Sequence, residues 1–301
     1  MKKRATRIAA LILSVLVAGL LAPGAARHAT SAGAAAVMAL PTTPGAPDYG
    51  PLESMVRAYV ARDAATWSVY FVDLDSGQAF GINPNAPIPQ ASLVKVPLVL
   101  YVNHLVSQGK TSWDDRIAYR PESDYRSGAG ALQFFTQPGW TYSVRALSNL
   151  AITLSDNIAK AMLVRHVGSG NLVRYMSSLG AAQPHANGEE ATTARDMAIY
   201  LQAILRMSRE EPELGQRLID DMSHTIWHVG IPGRLPEGVR VAHKEGDITG
   251  VANDAGIVFA GHPYIICILS TGQPDVDAGF RKIAEISEMV YSYQERVYGG
   301  I

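Results

Sequence analysis

Ser92 and Lys95 are the first residues of this sequence whose types and spacing suggest chemistry. They form Ser-Leu-Val-Lys at the expected start of a helix, where a separation of three residues places both side chains on one face. The free amides of a helix N-terminus would surround this serine. A serine hydroxyl needs a base to become nucleophilic, and a lysine can act as one if burial or a cationic neighbour lowers its pKa. The pair is therefore chemically suited to act as a serine nucleophile and its base.

This spacing is weak evidence by itself. Ser107 and Lys110 repeat it beside Gly109, where the same helix is expected to end. We interpret the second copy as exposed surface, because a glycine after a helical run is typical of a helix terminus.

Two further motifs are also unspecific when taken singly. Ser155, Asp156 and Asn157 are residue types that favour polar turns and helix N-caps. Lys244, two residues before Gly246 on an expected strand, is typical of an exposed sheet edge.

Together and in this order, the three motifs resemble those of the class A β-lactamase and penicillin-binding protein superfamily. The resemblance covers roughly residues 55–298. It is clearest in four stretches: Gln90–Leu100, Tyr142–Leu163, Ala191–Leu205 and Ile231–Phe259.

The resemblance implies catalytic roles. Ser92 would attack a carbonyl and form an acyl-enzyme, and Lys95 would accept or relay its proton. Ser155 would pass a proton to the leaving nitrogen with help from Lys244. The backbone N–H groups of Ser92 and Asp247 would form the oxyanion hole.

It also implies a substrate-binding side to the cleft. Asn157 would hydrogen-bond the amide side chain of the substrate, and positions 245 and 246 would border the substrate along the late strand. The family has Thr or Ser at the first of these, where the hydroxyl binds a substrate carboxylate. Here the residue is Glu245, followed by Gly246. A glutamate facing the cleft would repel a carboxylate, whereas one pointing away would change little.

A second departure concerns deacylation. In class A enzymes a long loop after the Ser-Asp-Asn motif carries a glutamate that activates water. Here the segment between Gly180 and Thr192 is too short for that loop and lacks its glutamate motif. Glu189 and Glu190 are the only carboxylates in it. They would either substitute as the deacylation base or remain solvated loop charges.

The fold expected is α/β (α+β). The pattern of a helix, two strands, a helical middle, three late strands and a last helix predicts one antiparallel sheet built from both ends of the chain. The resemblance implies a five-stranded sheet flanked by helices and packed on an all-helical subdomain. We expect the α/β part at 50–89 and 206–301 and the helical part at 90–205. A helix is expected over 92–107, a turn at 246–250, and either one helix or two over 143–166.

The N-terminus is typical of a secretory signal peptide. Four basic residues precede the apolar run Ile8–Ala22, and small residues follow it. We expect a signal at 1–26, with an uncleaved anchor as the alternative, and a disordered spacer at 27–49. Removing the signal takes four basic and no acidic residues and moves the formal net charge from -1 to -5. The chain is therefore expected to be secreted or bound to the cell envelope.

Other chemistries find little support. The charge pattern does not resemble a nucleic-acid footprint, and the sequence suggests no cofactor. No metal is expected, since His224 and His228 lack an accompanying acidic motif. The single cysteine, Cys267, lies in an apolar run and is expected to be a small buried residue. We expect a monomer that takes a small-molecule or peptidoglycan-derived substrate.

The motifs leave several functions open. The first is an acylating hydrolase related to class A β-lactamases, with slow or altered deacylation. The second is a D,D-peptidase acting on cell-wall peptide stems, which needs no loop glutamate. A non-catalytic binding protein on the same fold and an esterase or amidase for an uncharged substrate are further alternatives.

Overall fold

The computed structural model describes residues 47–182, 185–186 and 189–299, and only the main chain at 185, 186 and 189. The expected signal peptide at 1–26 and nearly all of the expected spacer at 27–49 lie outside these ranges. Within them, no helix is long and apolar enough to cross a membrane.

The chain alternates strands and helices as the hydrophobic pattern predicts. The strands are β1 (Thr66–Asp73), β2 (Ala79–Ile82), β3 (Ile88–Pro89), β4 (Arg116–Ala118), β5 (Thr141–Ser143), β6 (His185–Ala186), β7 (Glu189–Thr192), β8 (Arg240–Ile248), β9 (Val251–Phe259) and β10 (Tyr264–Thr271).

In the described part of the chain, eight α-helices have ten or more residues and two have four. They are α1 (Gly50–Val60), α2 (Lys95–Ser107), α3 (Pro121–Asp124), α4 (Leu132–Phe135), α5 (Val144–Thr153), α6 (Asn157–Val167), α7 (Ser169–Ser178), α8 (Ala194–Glu210), α9 (Pro212–Ser223) and α10 (Val276–Gly299). Short 3₁₀ helices lie at Ala91–Val94 and Ile231–Arg234.

Five strands form one sheet in the order β2-β1-β10-β9-β8, and every neighbouring pair in it is antiparallel. The two N-terminal strands thus join three C-terminal ones, which confirms the predicted fold class. The strand β8 lies at one edge of the sheet, with its outer side free to border a cleft.

Alternate residues of each strand serve the two faces of the sheet, as the two-residue period of a strand requires. In β10, Ile266 and Ile268 pack with α1 and α10 on one face. Cys267 and Leu269 pack on the other face, in the core that also contains α2, α5 and α8. The sheet is therefore buried on both sides between two helical layers.

Local differences from the expectation have simple causes. The interval 143–166 forms two helices, because Ser155 takes a left-handed conformation with φ 54° that no helix continues through. The short segment before α8 is a hairpin of β6 and β7, and β7 pairs with β3. The strand β8 continues to Ile248, so the expected turn at 246–250 is reduced to its last two residues.

Candidate active site

Ser92 lies on a 3₁₀ turn directly before α2. The sequence predicted it as the first residue of that helix, but α2 begins at Lys95. A 3₁₀ helix has three residues per turn, so side chains three apart are eclipsed. Lys95 Nζ consequently lies 2.8 Å from Ser92 Oγ. Ala91, just before the serine, has φ 48°, a left-handed conformation that is strained for a residue with a Cβ.

Lys95 is almost completely buried, with 1% of its surface exposed. Its Nζ donates to the main-chain oxygen of Ser155 at 2.6 Å and to Asn157 Oδ1 at 2.9 Å. Burial first, and then the positive charges of Lys244 and Lys160, lower the pKa of Lys95 to about 7. Near neutral pH a large fraction of this lysine is therefore uncharged and able to accept a proton.

Ser155 completes a triangle with these two residues. Its Oγ donates to Ser92 Oγ at 2.9 Å and accepts from Lys95 Nζ at 3.0 Å. The left-handed backbone of Ser155 turns its side chain toward the nucleophile. The proton of Ser92 can therefore move along one hydrogen bond to Lys95, and a second hydrogen bond connects Lys95 with Ser155.

Asp156 holds this arrangement in place as the N-cap of α6. One carboxylate oxygen accepts from the amides of Ile158 at 3.0 Å and Ala159 at 2.9 Å. The other accepts from Leu132 N at 2.8 Å. The capping interpretation of the Ser-Asp-Asn motif thus holds for its aspartate, while the serine and asparagine beside it face the lysine.

Asn157 links Lys95 to the segment that contains Ser127. Its Oδ1 accepts from Lys95, and its Nδ2 donates to the main-chain oxygen of Ser127 at 2.9 Å. The residue is half-buried. Among the described residues, Nδ2 makes only this one bond, so one amide hydrogen remains for a substrate; the binding role of Asn157 stays a prediction.

The edge strand β8 runs directly past the nucleophile. A Cβ placed on Gly246 would lie 3.0 Å from Ser92 N and 3.1 Å from Leu93 N. Only glycine allows this close approach without displacing the 3₁₀ turn. Asp247 follows in the same strand, with an exposed side chain. The predicted oxyanion hole of Ser92 N and Asp247 N remains a prediction that this approach favours.

Lys244 and Glu245 form a buried ion pair in β8. Lys244 Nζ donates to the main-chain oxygen of Glu245 at 2.9 Å and also to its carboxylate. Burial lowers the pKa of Lys244, and the charge of Glu245 opposes that shift. Glu245 therefore turns inward and does not point away from the protein. In the described parts of the chain, no hydrogen bond connects Lys244 with Ser155.

Glu190 is hydrogen-bonded to Gln90, two residues before Ser92. Gln90 N donates to Glu190 O at 3.2 Å, and Gln90 Nε2 donates to Glu190 Oε2 at 2.7 Å. This contact follows from the pairing of β7 with β3, which the sequence did not predict. Glu189 lies on β7, but its side chain is outside the described residues. Of the two candidate bases, only Glu190 has a side chain among the described residues, and its carboxylate lies beside Gln90.

Sequence reasoning missed Lys160. It is half-buried, makes no ion pair with any described residue, and lies with Val94 and Glu190 along a cavity of about 320 Å³. Its charge contributes to the low pKa of Lys95. The position three residues after Asn157 on the same helix was a signal that could have identified it.

A second buried network supports β8 from behind. His243 Nδ1 lies 3.0 Å from Asp254 Oδ1, and His243 Nε2 lies 2.9 Å from Thr225 Oγ1. Asp254 also accepts from Ile231 N at 2.8 Å. These bonds fix the segment before β8 against the strand that carries Lys244.

Neither a metal nor a reactive thiol is indicated by the geometry. Among the described residues, no group of three or more His, Cys, Asp or Glu side chains could hold a metal ion. Cys267 is completely buried, and burial raises the pKa of its thiol well above the usual value. Such a thiol is inert.

Comparison with known proteins supports the same chemistry. The sequence model of the Beta-lactamase enzyme family matches residues 51–294. The extended-spectrum beta-lactamase PER-1 of Pseudomonas aeruginosa is 24% identical over 268 residues, covering 81% of this chain and 87% of that protein. Beta-lactamase VEB-1 of the same species is 20% identical, covering 80% and 88%.

Solved structures give the same result. PBP-A has a TM-score of 0.77 and 28% identity, covering 82% of this chain and 97% of its own. The beta-lactamase from Sphaerobacter thermophilus has a TM-score of 0.73 and 26% identity, covering 85% and 99%. A mutant of PBP-A has been solved as an acyl-enzyme complex with penicillin G. The chain belongs to the beta-lactamase enzyme family and is a class A β-lactamase-like serine hydrolase.

Proposed function

We propose that this protein forms an acyl-enzyme on Ser92 with β-lactams or related amides and releases the acyl group slowly. The observation that carries this proposal is the triangle of Ser92, Lys95 and Ser155, with Nζ 2.8 Å and the second hydroxyl 2.9 Å from the nucleophilic oxygen. Lys95 in its uncharged form is a base within direct reach of the hydroxyl, which is what nucleophilic catalysis by serine requires.

In acylation, the neutral amine of Lys95 accepts the proton of Ser92 as its Oγ bonds to the carbonyl carbon. The carbonyl oxygen becomes an oxyanion, for which the N–H groups of Ser92 and Asp247 are the proposed donors. As the C–N bond breaks, Ser155 donates its proton to the leaving nitrogen and receives one from Lys95. The lysine is then neutral again, and the acyl group is esterified to the serine.

Slow deacylation is proposed because the family's loop glutamate is missing. Glu190 is the candidate that would replace it, since its carboxylate is bonded to Gln90, two residues before the nucleophile. One of its oxygens accepts that bond, and the other is available for a water. A base tethered at this place supports hydrolysis only where a water fits between it and the acyl carbon.

A second candidate is a D,D-peptidase that acts on cell-wall peptide stems. It uses the same three motifs and needs no loop glutamate. The likeness to PBP-A, a mutant of which forms an acyl-enzyme with penicillin G, supports acylation in both candidates. The two candidates differ in the lifetime of the acyl-enzyme with penicillin.

The experiment that tests the proposal is intact mass spectrometry of the mature protein over time after mixing with benzylpenicillin. An adduct that forms and disappears means β-lactamase turnover, and a persistent adduct favours the peptidase. No adduct at any time would contradict acylation of β-lactams. Ser92→Ala should abolish labelling, whereas Ser107→Ala, in the second copy of the spacing, should not change it.

We also propose that the chain is exported by a signal peptide and acts as a monomer outside the cytoplasm. The support is the basic and apolar pattern of the first 26 residues. N-terminal sequencing of the secreted protein should find a new terminus near residue 27. A protein that keeps Met1 and stays in the membrane fraction would favour the uncleaved anchor. Size-exclusion chromatography with light scattering tests the monomer.

A further inference from the structure

Among the described residues, one oxygen of Glu245 is buried without a partner. The residue has 5% of its surface exposed, and its Oε1 accepts from Lys244 Nζ. Its Oε2 receives no hydrogen bond from any residue that the structure describes. A buried carboxylate oxygen is rarely left unsatisfied, because its desolvation is unfavourable. A donor that arrives with a ligand would satisfy it.

This oxygen belongs to the residue that borders the reacting bond. Glu245 precedes Gly246, whose backbone passes against the amides of Ser92 and Leu93. The charge of Glu245 also acts on Lys95, the proposed base. Glu245 thus belongs to the part of β8 that passes Ser92, and its carboxylate is buried there.

The charges at this side do not favour an anion. The ammonium of Lys244 is completely buried and donates to the carbonyl and the carboxylate of Glu245. The exposed carboxylate of Asp247 adds a second negative charge in the same strand. This part of the strand therefore carries a buried pair of opposite charges and one exposed negative charge, and its net negative charge would repel a substrate carboxylate placed beside it.

We propose that Glu245 is a specificity-determining residue that selects substrates carrying a hydrogen-bond donor, an amide N–H or an ammonium, on the leaving-group side of the scissile bond. A free carboxylate at this position is disfavoured. This inference rests on the proposed acylation of Ser92, and it implies that benzylpenicillin, which carries a carboxylate on the leaving-group side, acylates Ser92 slowly. It specifies the chemical class of the leaving group. The leaving group would be a peptide-like unit that continues into a further amide bond or ends in a carboxamide, or a unit that carries an amine. It would not end in a free carboxylic acid.

The test uses three matched esters with the same phenylacetylglycyl acyl half. Their leaving groups are meta-hydroxybenzoate, meta-hydroxybenzamide and meta-(aminomethyl)phenol, which present a carboxylate, an amide and an ammonium at one place. Hydrolysis splits each into phenylacetylglycine and the phenol, with water supplying the hydroxyl and the proton. The measured quantity is kcat/KM, which includes acylation but not slow deacylation.

We expect the amide and ammonium esters to exceed the carboxylate ester in kcat/KM by at least about tenfold. Glu245→Gln, which has nearly the same shape, should abolish the preference for ammonium, and Glu245→Thr should raise the relative rate of the carboxylate ester at least about tenfold. Glu237→Gln is the matched control, because it removes one negative charge from an exposed position and should leave the ratios unchanged. Each ratio compares the kcat/KM values of two esters on the same preparation. An inactive unfolded fraction lowers both values equally and leaves the ratio unchanged.

Two results would overturn the inference. One is a wild-type enzyme that hydrolyses the carboxylate ester as well as the other two. The other is a set of ratios that stays the same in both Glu245 variants, as expected if the residue only holds Lys244 in place. The variant Ser92→Ala distinguishes a failure of the specificity inference from a failure of the proposed function. Ester hydrolysis that depends on Ser92 but shows no preference among the three esters contradicts only the specificity inference. Absence of Ser92-dependent hydrolysis removes both.

Discussion

Lys95 Nζ lies 2.8 Å from Ser92 Oγ, although the lysine is 99% buried and two further lysines act on it. The short distance and the low pKa have one origin. The 3₁₀ turn directs the lysine inward, and its surroundings there disfavour the ammonium. The packing that brings Lys95 to Ser92 thus also keeps much of the lysine uncharged near neutral pH, so that its amine can accept the proton of the hydroxyl.

The rate of acylation should depend on the charge of Lys95. Its pKa is lowered to about 7, so the ammonium dominates below that pH and cannot accept a proton. We expect kcat/KM for acylation to rise with pH through about 7 and then level off. Stopped-flow measurement with a chromogenic β-lactam or one of the esters gives this profile. A rate that is flat between pH 5 and 9, a window of roughly two units on each side, would exclude the lysine as the base.

Lys160 provides a sharper form of this experiment. Its positive charge lowers the pKa of Lys95, so Lys160→Met should raise that pKa and move the acidic limb of the profile to higher pH. A shift of a few tenths of a unit to about one unit is expected for a half-buried neighbour. Lys110→Met removes an exposed lysine at the far end of α2 and should leave the limb in place. Equal shifts in both variants would show that only net charge matters.

Glu190 should control the lifetime of the acyl-enzyme if it is the deacylation base. Glu190→Gln keeps an oxygen for Gln90 but cannot accept a proton. We expect this change to lengthen the life of the penicillin adduct by about a hundredfold or more, as loss of a general base does. Mass spectrometry of the adduct over time measures it. Glu189→Gln is the neighbouring control, and an unchanged lifetime in both variants would assign the two glutamates to the solvated surface.

Gly130 should be necessary for the Ser-Asp-Asn turn. It has φ 107°, and a Cβ there would lie 2.4 Å from three atoms of Asp156. Gly130→Ala should therefore lower the free energy of unfolding by about 2–4 kcal/mol. Gly139 also has a left-handed φ, 80°, but a Cβ would meet nothing within 4 Å. Gly139→Ala should lose only the backbone preference, about 1 kcal/mol.

Thermal and urea unfolding distinguish these two glycine variants. Gly130→Ala should also slow acylation, because the turn that it disturbs positions Ser155 against Ser92. The same loss of stability in both variants would show that Asp156 moves aside without penalty, and that the close approach at Gly130 is not a constraint.

Much of the fold followed from local pattern. The continuous apolar run that contains Cys267 predicted a strand, and the helical spacing of Leu52 and Val56 predicted α1. These elements form where they were expected because side-chain periodicity and backbone geometry are properties of a short stretch of chain. The hairpin of β6 and β7 was not predicted, since its few residues are ordered by pairing with β3, far away in the sequence.

The candidate site also has features that the sequence predicted and features that only the folded structure shows. The order of the motifs in the sequence identified Ser92, Lys95, Ser155, Asn157 and Lys244 as one group, and the first four are joined by hydrogen bonds. The sequence could not assign an orientation to Glu245, because strand alternation indicates a face but not a partner.

By itself the sequence determined the family, the sheet and the candidate reacting groups, since these depend on residue type and order. Only the tertiary structure decided the charge of Lys95, the inward turn of Glu245 and the place of Glu190 beside Gln90. Each of these depends on burial and on groups brought together from distant parts of the chain. Electrostatic interactions are set by distance and by exclusion of water, and neither quantity exists until the chain has folded.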